Sequence, residues 1–330
     1  MIEGTLIMIA KSIIIFAVFL QLVPIVLLGD RKLMGRMQSR IGPNRVGPRG
    51  AFQPIADVLK LLSKEQFTPA TAVPWMMAIA PMISIITAVA TIAIIPFGDK
   101  REDALFGADY GLYGIDVSIG LLYFFAFGSL AFYGLMLGGW SSGSKYSFLG
   151  AMRAAAQLIS YEVAMGLSLL GVVMMVGSLS LTQIVEAQGE VWYIVPQIVG
   201  FLIFLVAGFA ETNRAPFDLP EADAELVQGY MTEYGGMRFG SYLLAEYLEM
   251  FVVSGIAVTF FLGGWHGPGP GWLDPIWMLG KTLSLVLFFI WVRATLPRLR
   301  YDQLMSLGWK VFLPLATLNA LVTAILVVTT

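Results

Sequence analysis

Apolar residues run along this chain in blocks rather than in the stripes of a water-soluble fold. Stretches free of Asp, Glu, Lys and Arg cover 12–29, 66–98, 117–144, 163–185, 191–210, 250–273 and 311–330. An eighth, 275–292, is interrupted only by Lys281, near one end. A helix crossing the hydrocarbon core needs about 20 mostly apolar residues, so the pattern predicts eight spanning helices with both termini on one side. Lys281, like Lys11 at the start of the first span, is expected to run its stem up to the headgroups. The fold class is therefore all-α: a polytopic membrane protein, one integral domain over 1–330, with no internal repeat and no low-complexity run.

Orientation follows from the basic residues. Of the 20 Lys and Arg, sixteen fall in the odd-numbered connections: eight between Arg31 and Lys64, then Lys145 and Arg153, Arg214 and Arg238, and Arg293, Arg298, Arg300 and Lys310. The even connections and ends hold Lys100, Arg101 and the two snorkelling lysines. The positive-inside rule puts the odd connections in the cytoplasm and both termini outside. The first span lacks a basic start and a small-residue cleavage site and reads as a retained helix.

Two of the inward connections carry most of the chemistry. In 30–72, Gly42-Pro43-Asn44 and Gly47-Pro48 stop any helix. Beyond them Phe52, Ile55, Leu59 and Leu62 recur at helical spacing, opposite Gln53, Asp57, Lys60 and Lys64. That predicts a short amphipathic helix, 51–62, lying in the membrane interface, either as a loop anchor or as the border of an opening for a lipophilic molecule.

The second connection, 211–241, holds Glu211, Asp218, Glu221, Asp223, Glu225 and Glu233. Glu246 and Glu249 follow in the next span, so eight carboxylates accompany only Arg214 and Arg238. Asp218 and Glu221 around Pro220 predict a helix start with a capping pair. Glu221 and Glu225 are then expected on one helical face, where like charges repel. Glu162 and Glu246 stand within or beside apolar runs, and a carboxylate at such depth costs several kcal/mol unless paired, hydrated or protonated. They are read as part of a proton or ion path facing the bundle interior.

Composition narrows the function. Hydrophobic residues make up 58% of the 330 and charged ones 13%, too few to keep such a chain in water. A net charge of −2 leaves no basic excess for nucleic acid. With no cysteine and the single histidine His266, in a Gly/Pro loop, there is no thiolate for an iron–sulfur cluster and no paired-histidine haem. Electron carriers are expected on other chains.

The runs Gly42-Pro43-Asn44-Arg45-Val46-Gly47-Pro48, Gln53-Pro54-Ile55-Ala56-Asp57-Val58-Leu59-Lys60 and Glu211-Thr212-Asn213-Arg214-Ala215-Pro216-Phe217-Asp218-Leu219-Pro220-Glu221 resemble the membrane subunit 1, or H, family of respiratory complex I, the proton-pumping NADH:quinone oxidoreductase. Ser160-Tyr161-Glu162 and Arg300-Tyr301-Asp302-Gln303 match it as well, and the likeness spans the chain. The resemblance implies an eight-helix component of a translocase, not catalytic alone. It binds no cofactor itself, quinone being the substrate and FMN and iron–sulfur clusters residing on partner subunits. Its loops dock the hydrophilic arm, including the subunits of the quinone site and the terminal cluster, and its spans meet the small and antiporter-like membrane subunits in the bilayer.

The same resemblance implies a quinone chamber bordered by Arg31, Phe52, Gln53, Asp57, Lys60, Arg214 and Phe217, with the amphipathic helix at its entrance. It also implies a carboxylate relay of Asp30, Glu162, Glu211, Glu221, Asp223, Glu225, Glu233 and Glu246. At 30 and 223 the family usually carries Glu, so this chain is one methylene shorter there. Alternatives are the related membrane component of membrane-bound hydrogenases, an ion or proton transporter, and a structural anchor. The intact entrance helix favours the quinone enzyme, and the absence of repeated halves argues against a transporter. The lack of cysteine and the compact termini point to the inner (plasma) membrane of a bacterium.

Overall fold

The computed structural model describes residues 2–98 and 114–329; Lys100 and Arg101 lie outside the described residues, as do the side chains of Lys11 and Asp223. The described chain is helical, with no strand among the described residues. Among the described residues seven helices are long and apolar enough to cross a membrane: α1 (Ile2–Met37), α3 (Pro74–Ile92), α4 (Gly120–Ser141), α5 (Lys145–Val176), α9 (Gly236–Phe261), α10 (Asp274–Thr295), and α11 (Tyr301–Leu307) running through a π-helical turn into α12 (Leu313–Thr329). The apolar α7 (Ile198–Glu211) is shorter. Three further helices, α2 (Gln53–Ser63), α6 (Leu181–Glu186) and α8 (Asp223–Leu226), lie in the connections. The chain is a multi-pass membrane protein.

Several boundaries shift from those read off charge-free windows. The fourth span begins at Lys145, so Arg153 and Glu162 sit inside the helix, and it stops at Val176, leaving 181–186 as a separate short helix. The sixth begins at Gly236 and takes in Glu246 and Glu249. It ends at Phe261 because Gly263 and Gly264 take left-handed backbone (φ 71° and 50°), so the apolar run beyond is loop. Charge-free windows miss these limits because a helix tolerates charges that find partners inside the protein, and apolar Gly/Trp/Pro runs need not be helical.

The helix α9 is the central member. Of its most apolar window 83% is buried, against 17–44% for the other long spans. Phe251, Ile256, Val258, Phe260 and Phe261 are fully enclosed in a cluster with Phe19, Ile92, Phe204 and Phe289 from four other helices. In hydrocarbon, packing and interhelical hydrogen bonds hold such a bundle. On α4, Gly134 and Gly138 supply both. A Cβ at Gly138 would lie 2.2 Å from Tyr242 Oη, and the carbonyls of Gly134 and Gly138 accept from Tyr242 Oη (3.0 Å) and Tyr234 Oη (3.2 Å).

Lys281 does not extend to the headgroups as expected. Its ammonium donates to the carbonyls of Leu262 (2.7 Å), Gly264 (3.0 Å) and His266 (2.7 Å), at the C-terminal end of α9, and lies over the Trp192 ring. Unpaired carbonyls at a helix C-terminus attract a cation, and here they outcompete the interface. His266 itself contacts the Val185 carbonyl at 3.0 Å.

Candidate functional site

The loop-rich end of the bundle collects the charges. Four segments meet there: the end of α1, the chain from Asn213 to Glu221, the α9 turn carrying Glu246 and Tyr247, and the end of α10. Between them is a cleft of about 270 Å³ lined by Asp30, Arg31, Asn213, Arg214, Asp218, Glu221, Glu246, Tyr247 and Arg293.

Asp30 and Arg214 organise this cleft. Asp30, 2% exposed, accepts at Oδ2 from Tyr247 Oη (2.8 Å) and from Arg293 Nη1 (3.0 Å), with Arg214 Nη1 at 3.9 Å. Arg214, 8% exposed, approaches Glu246 at 3.6 Å and lies over the Tyr247 ring at 4.2 Å. Tyr230 Oη donates to Glu246 at 3.2 Å. Burial opposes the Arg214 cation, but Tyr247, Glu246 and Asp30 outweigh it and hold its pKa above the usual guanidinium value. The Nε of Arg214 and the Oδ1 of Asp30 are shielded yet without a hydrogen-bond partner. Buried polar groups are ordinarily satisfied, so these two atoms mark the strained centre of the charged cleft.

Glu221 closes the cleft from the loop. It lines the same cleft as Glu246, and two carboxyl groups sharing one enclosed site favour keeping a proton between them. Burial, and then Glu246, push the Glu221 pKa well above the ordinary carboxylate value, against the pull of Arg214 and Arg293.

Two local expectations are corrected here. No helix starts with an Asp218–Glu221 capping pair: the four-residue α8 follows Ala222, whose backbone is left-handed (φ 40°), and no side chain caps it. That turn also separates Glu221 from Glu225, so the two do not share a helical face. Glu225 points outward, paired with Arg153 and, at 3.7 Å, with Arg298. The arginine hydrogen bond holds its carboxyl below the usual range, more than its slight burial raises it.

Alongside the cleft, α2 leans on the end of α1 through an ion pair between Arg31 and Asp57, with Gln53 Nε2 donating to Asp57 Oδ1 at 3.0 Å. Arg31 and Gln53 border a second depression with Arg40, Gly42, Pro43, Asn44 and Arg45. The predicted stripe of α2 is present, and its apolar members Phe52, Ile55, Leu59 and Leu62 are all exposed. Lys60 is exposed on the same helix, whereas Phe217 is buried against the Tyr161 ring, 5.7 Å between centroids.

The remaining acids lie elsewhere. Glu162 does not face the bundle interior: it accepts from Ser129 Oγ and lines an open groove between α4 and α5 with Phe125, Ile159, Val163, Gly166 and Leu170. Glu211 ends α7 in a separate small cavity. Glu233 is half-buried in the loop before α9. Several participants had no role on sequence grounds: Tyr230, Tyr247, Arg293 and Glu249. Glu249 alone carried a signal, since it stands three residues after Glu246 and hence near the same helical face.

A family model described as NADH dehydrogenase matches residues 10–324. An H-type subunit of NADH-quinone oxidoreductase from Geobacter metallireducens is 53% identical over 315 residues, covering 95% of this chain and 94% of that protein. Its counterpart from Geobacter sulfurreducens is also 53% identical, over the same shares. The protein of the same type from Thermomicrobium roseum is 52% identical over 301 residues, covering 88% of this chain and 87% of its own. Identity of this extent along nearly the whole of both chains carries the membrane helices and the charged loops together, and the chain belongs to the NADH dehydrogenase family, with the H-type subunits of bacterial NADH-quinone oxidoreductases.

Proposed function

We propose that this chain is the quinone-chamber membrane component of a proton-translocating NADH:quinone oxidoreductase: a part without redox centres that shapes the path of the quinone and converts its reduction into proton movement. The observation that carries this reading is the buried cleft where Asp30, Arg214, Glu221 and Glu246 converge at one end of the bundle. In this reading α2, with its apolar face outward, borders the entrance from the bilayer. Arg31, Gln53, Asp57 and Arg214 provide the polar wall beyond it, with Phe52 and Lys60 at the rim and Phe217 supporting the wall from the core.

Quinone reduction consumes two electrons and two protons. Electrons come from iron–sulfur clusters, fed through FMN, on partner subunits docked against the loops 30–72 and 211–241, the inward face of a bacterial inner membrane. Negative charge arriving on the quinone, or withdrawal of protons to neutralise it, alters the field at Glu221 and Glu246. These already share a proton next to Arg214, so their protonation responds to small changes in field. From there the relay continues through Glu211 and Glu162 toward the antiporter-like membrane subunits, with Asp30 fixing the arginines. Asp223, Glu225 and Glu233 stand at its loop-side approach.

Two measurements test this. A photoreactive quinone analogue crosslinked to the assembled enzyme is expected to label 30–65 or 211–241; label confined to the outward loops refutes the chamber. Glu221→Gln is expected to impair NADH-driven proton translocation, and normal pumping stoichiometry in that variant refutes the relay.

A further inference from the structure

The acids of the charged cleft and the acids deeper in the bundle are not contiguous through Glu221, Glu246, Glu211 and Glu162 alone. Glu246 belongs to the cleft between α1, α9 and α10, whereas Glu211 lies in a cavity bounded by α3, α4, α7 and α9. One residue bridges the two. Glu249 stands one turn along α9 from Glu246 and lines the same cavity as Glu211, together with Thr87, Thr91, Phe124, Gly128 and Val253.

The cavity is built for a proton rather than for packing. Its volume, about 30 Å³, exceeds the minimum of roughly 10–15 Å³ that a water requires. Two carboxyl groups and the hydroxyl oxygens of Thr87 and Thr91 offer a water the polar partners it needs. Both hydroxyls already donate to backbone carbonyls, Thr87 to Ile83 and Ser84 and Thr91 to Thr87, so their oxygens are left to accept. Glu211 Oε2 is shielded and without a hydrogen-bond partner. Two carboxyl groups lining one small, mostly apolar cavity favour keeping at least one proton between them.

We propose that Glu249 is a proton-carrying residue of the translocation path, the link that passes a proton between the Glu221–Glu246 pair of the cleft and Glu211. The step is a transfer along hydrogen bonds: a protonated Glu249 gives its proton, directly or through one water, to the Glu211 carboxylate, and is reprotonated from the Glu246 side. No bond other than O–H is made or broken. This rests on the relay reading above and adds to it a member on α9.

The test is Glu249→Gln and Glu249→Asp in the assembled, membrane-reconstituted enzyme, beside Glu221→Gln. Glu249→Gln, which keeps shape and removes the proton, is expected to slow NADH-driven proton translocation by about tenfold or more, while Glu249→Asp retains most of it. Glu249→Gln pumping at the parental rate overturns the proposal. If Glu221→Gln is impaired at the same time, the relay stands and only its passage through Glu249 falls; if both variants pump normally, the relay itself fails. A merely structural role is separated by infrared difference spectroscopy on quinone reduction. A protonated-carboxyl band that vanishes in Glu249→Gln and shifts in Glu249→Asp is expected, and an unaltered band in Glu249→Asp refutes the assignment even if the glutamine variant does not assemble.

Discussion

Glu221 and Glu225 stand four residues apart and face opposite environments: Glu221 turns into the cleft beside Glu246, while Glu225 reaches out to Arg153 and Arg298. The left-handed turn at Ala222 makes this possible by breaking the helical register between them. One acid thus holds a proton well above the ordinary carboxylate range and the other loses its proton below it, a division of labour set by environment alone.

For Glu221 the raised pKa means that the folded loop binds this proton more tightly than the unfolded loop does. Its contribution to stability is therefore complete below the unfolded value near 4.5 and declines as pH climbs toward the folded pKa. Hydrogen-exchange protection factors of residues 217–231, corrected for the intrinsic base-catalysed rate, are expected to fall over that interval in the parental protein. Glu221→Gln, which cannot ionise, is expected to flatten the dependence; an unchanged profile refutes the assignment.

Glu225 has the opposite sign. Its lowered pKa gives stability that is present above the unfolded value and lost as pH falls through the folded one. The group is nearly half exposed, so water screens the pair and its worth stays below about 1 kcal/mol. Glu225→Gln is expected to remove only the acid limb of loop stability and to leave the melting temperature of the bundle nearly unchanged.

How legible was this arrangement in the sequence? The helices were, because hydrocarbon admits few alternatives to an apolar helix, and so was the amphipathic stripe of α2. Boundaries were not, since Arg153, Glu162 and Glu246 are carried inside helices by partners elsewhere in the chain. The excess of acid over base in 211–249 was real only locally. Arg153, Arg293 and Arg298, all outside that segment, are brought to its acids and to Asp30 by tertiary packing. Long-range pairing of this kind leaves no periodicity to read, which is why Tyr247 and Arg293 at Asp30 went unseen.

Arg214 is the pivot of the buried charges. Removing it leaves Asp30 with Arg293 alone and Glu246 without a cation, and breaking a buried pair on one side costs about 3–5 kcal/mol. Arg214→Met is expected to lower the thermal stability of the detergent-solubilised protein accordingly. The double variant Arg214→Met/Glu246→Gln is expected to recover part of that loss, because it also removes the stranded carboxylate; a fully additive double variant contradicts the pairing.

The pair Arg31–Asp57 ties the interfacial helix α2 to α1, and its function is positional. Both groups are partly in water (43% and 16% exposed), so the pair contributes at most about 1 kcal/mol to overall stability. Its loss acts instead on where α2 sits: Phe52, Ile55, Leu59 and Leu62 all point outward, so apart from this pair only a narrow face with Pro54 and Leu61, the latter against Gly240 of α9, seats the helix. Asp57→Asn is expected to leave the melting temperature within a few degrees of the parent but to raise the apparent KM for a long-tailed quinone in the assembled enzyme, with a smaller effect on kcat. Exchanging the charges, Arg31→Asp with Asp57→Arg, is expected to restore KM in part, because the link between the helices is rebuilt with its polarity reversed. A KM unmoved by Asp57→Asn would detach α2 from the quinone path.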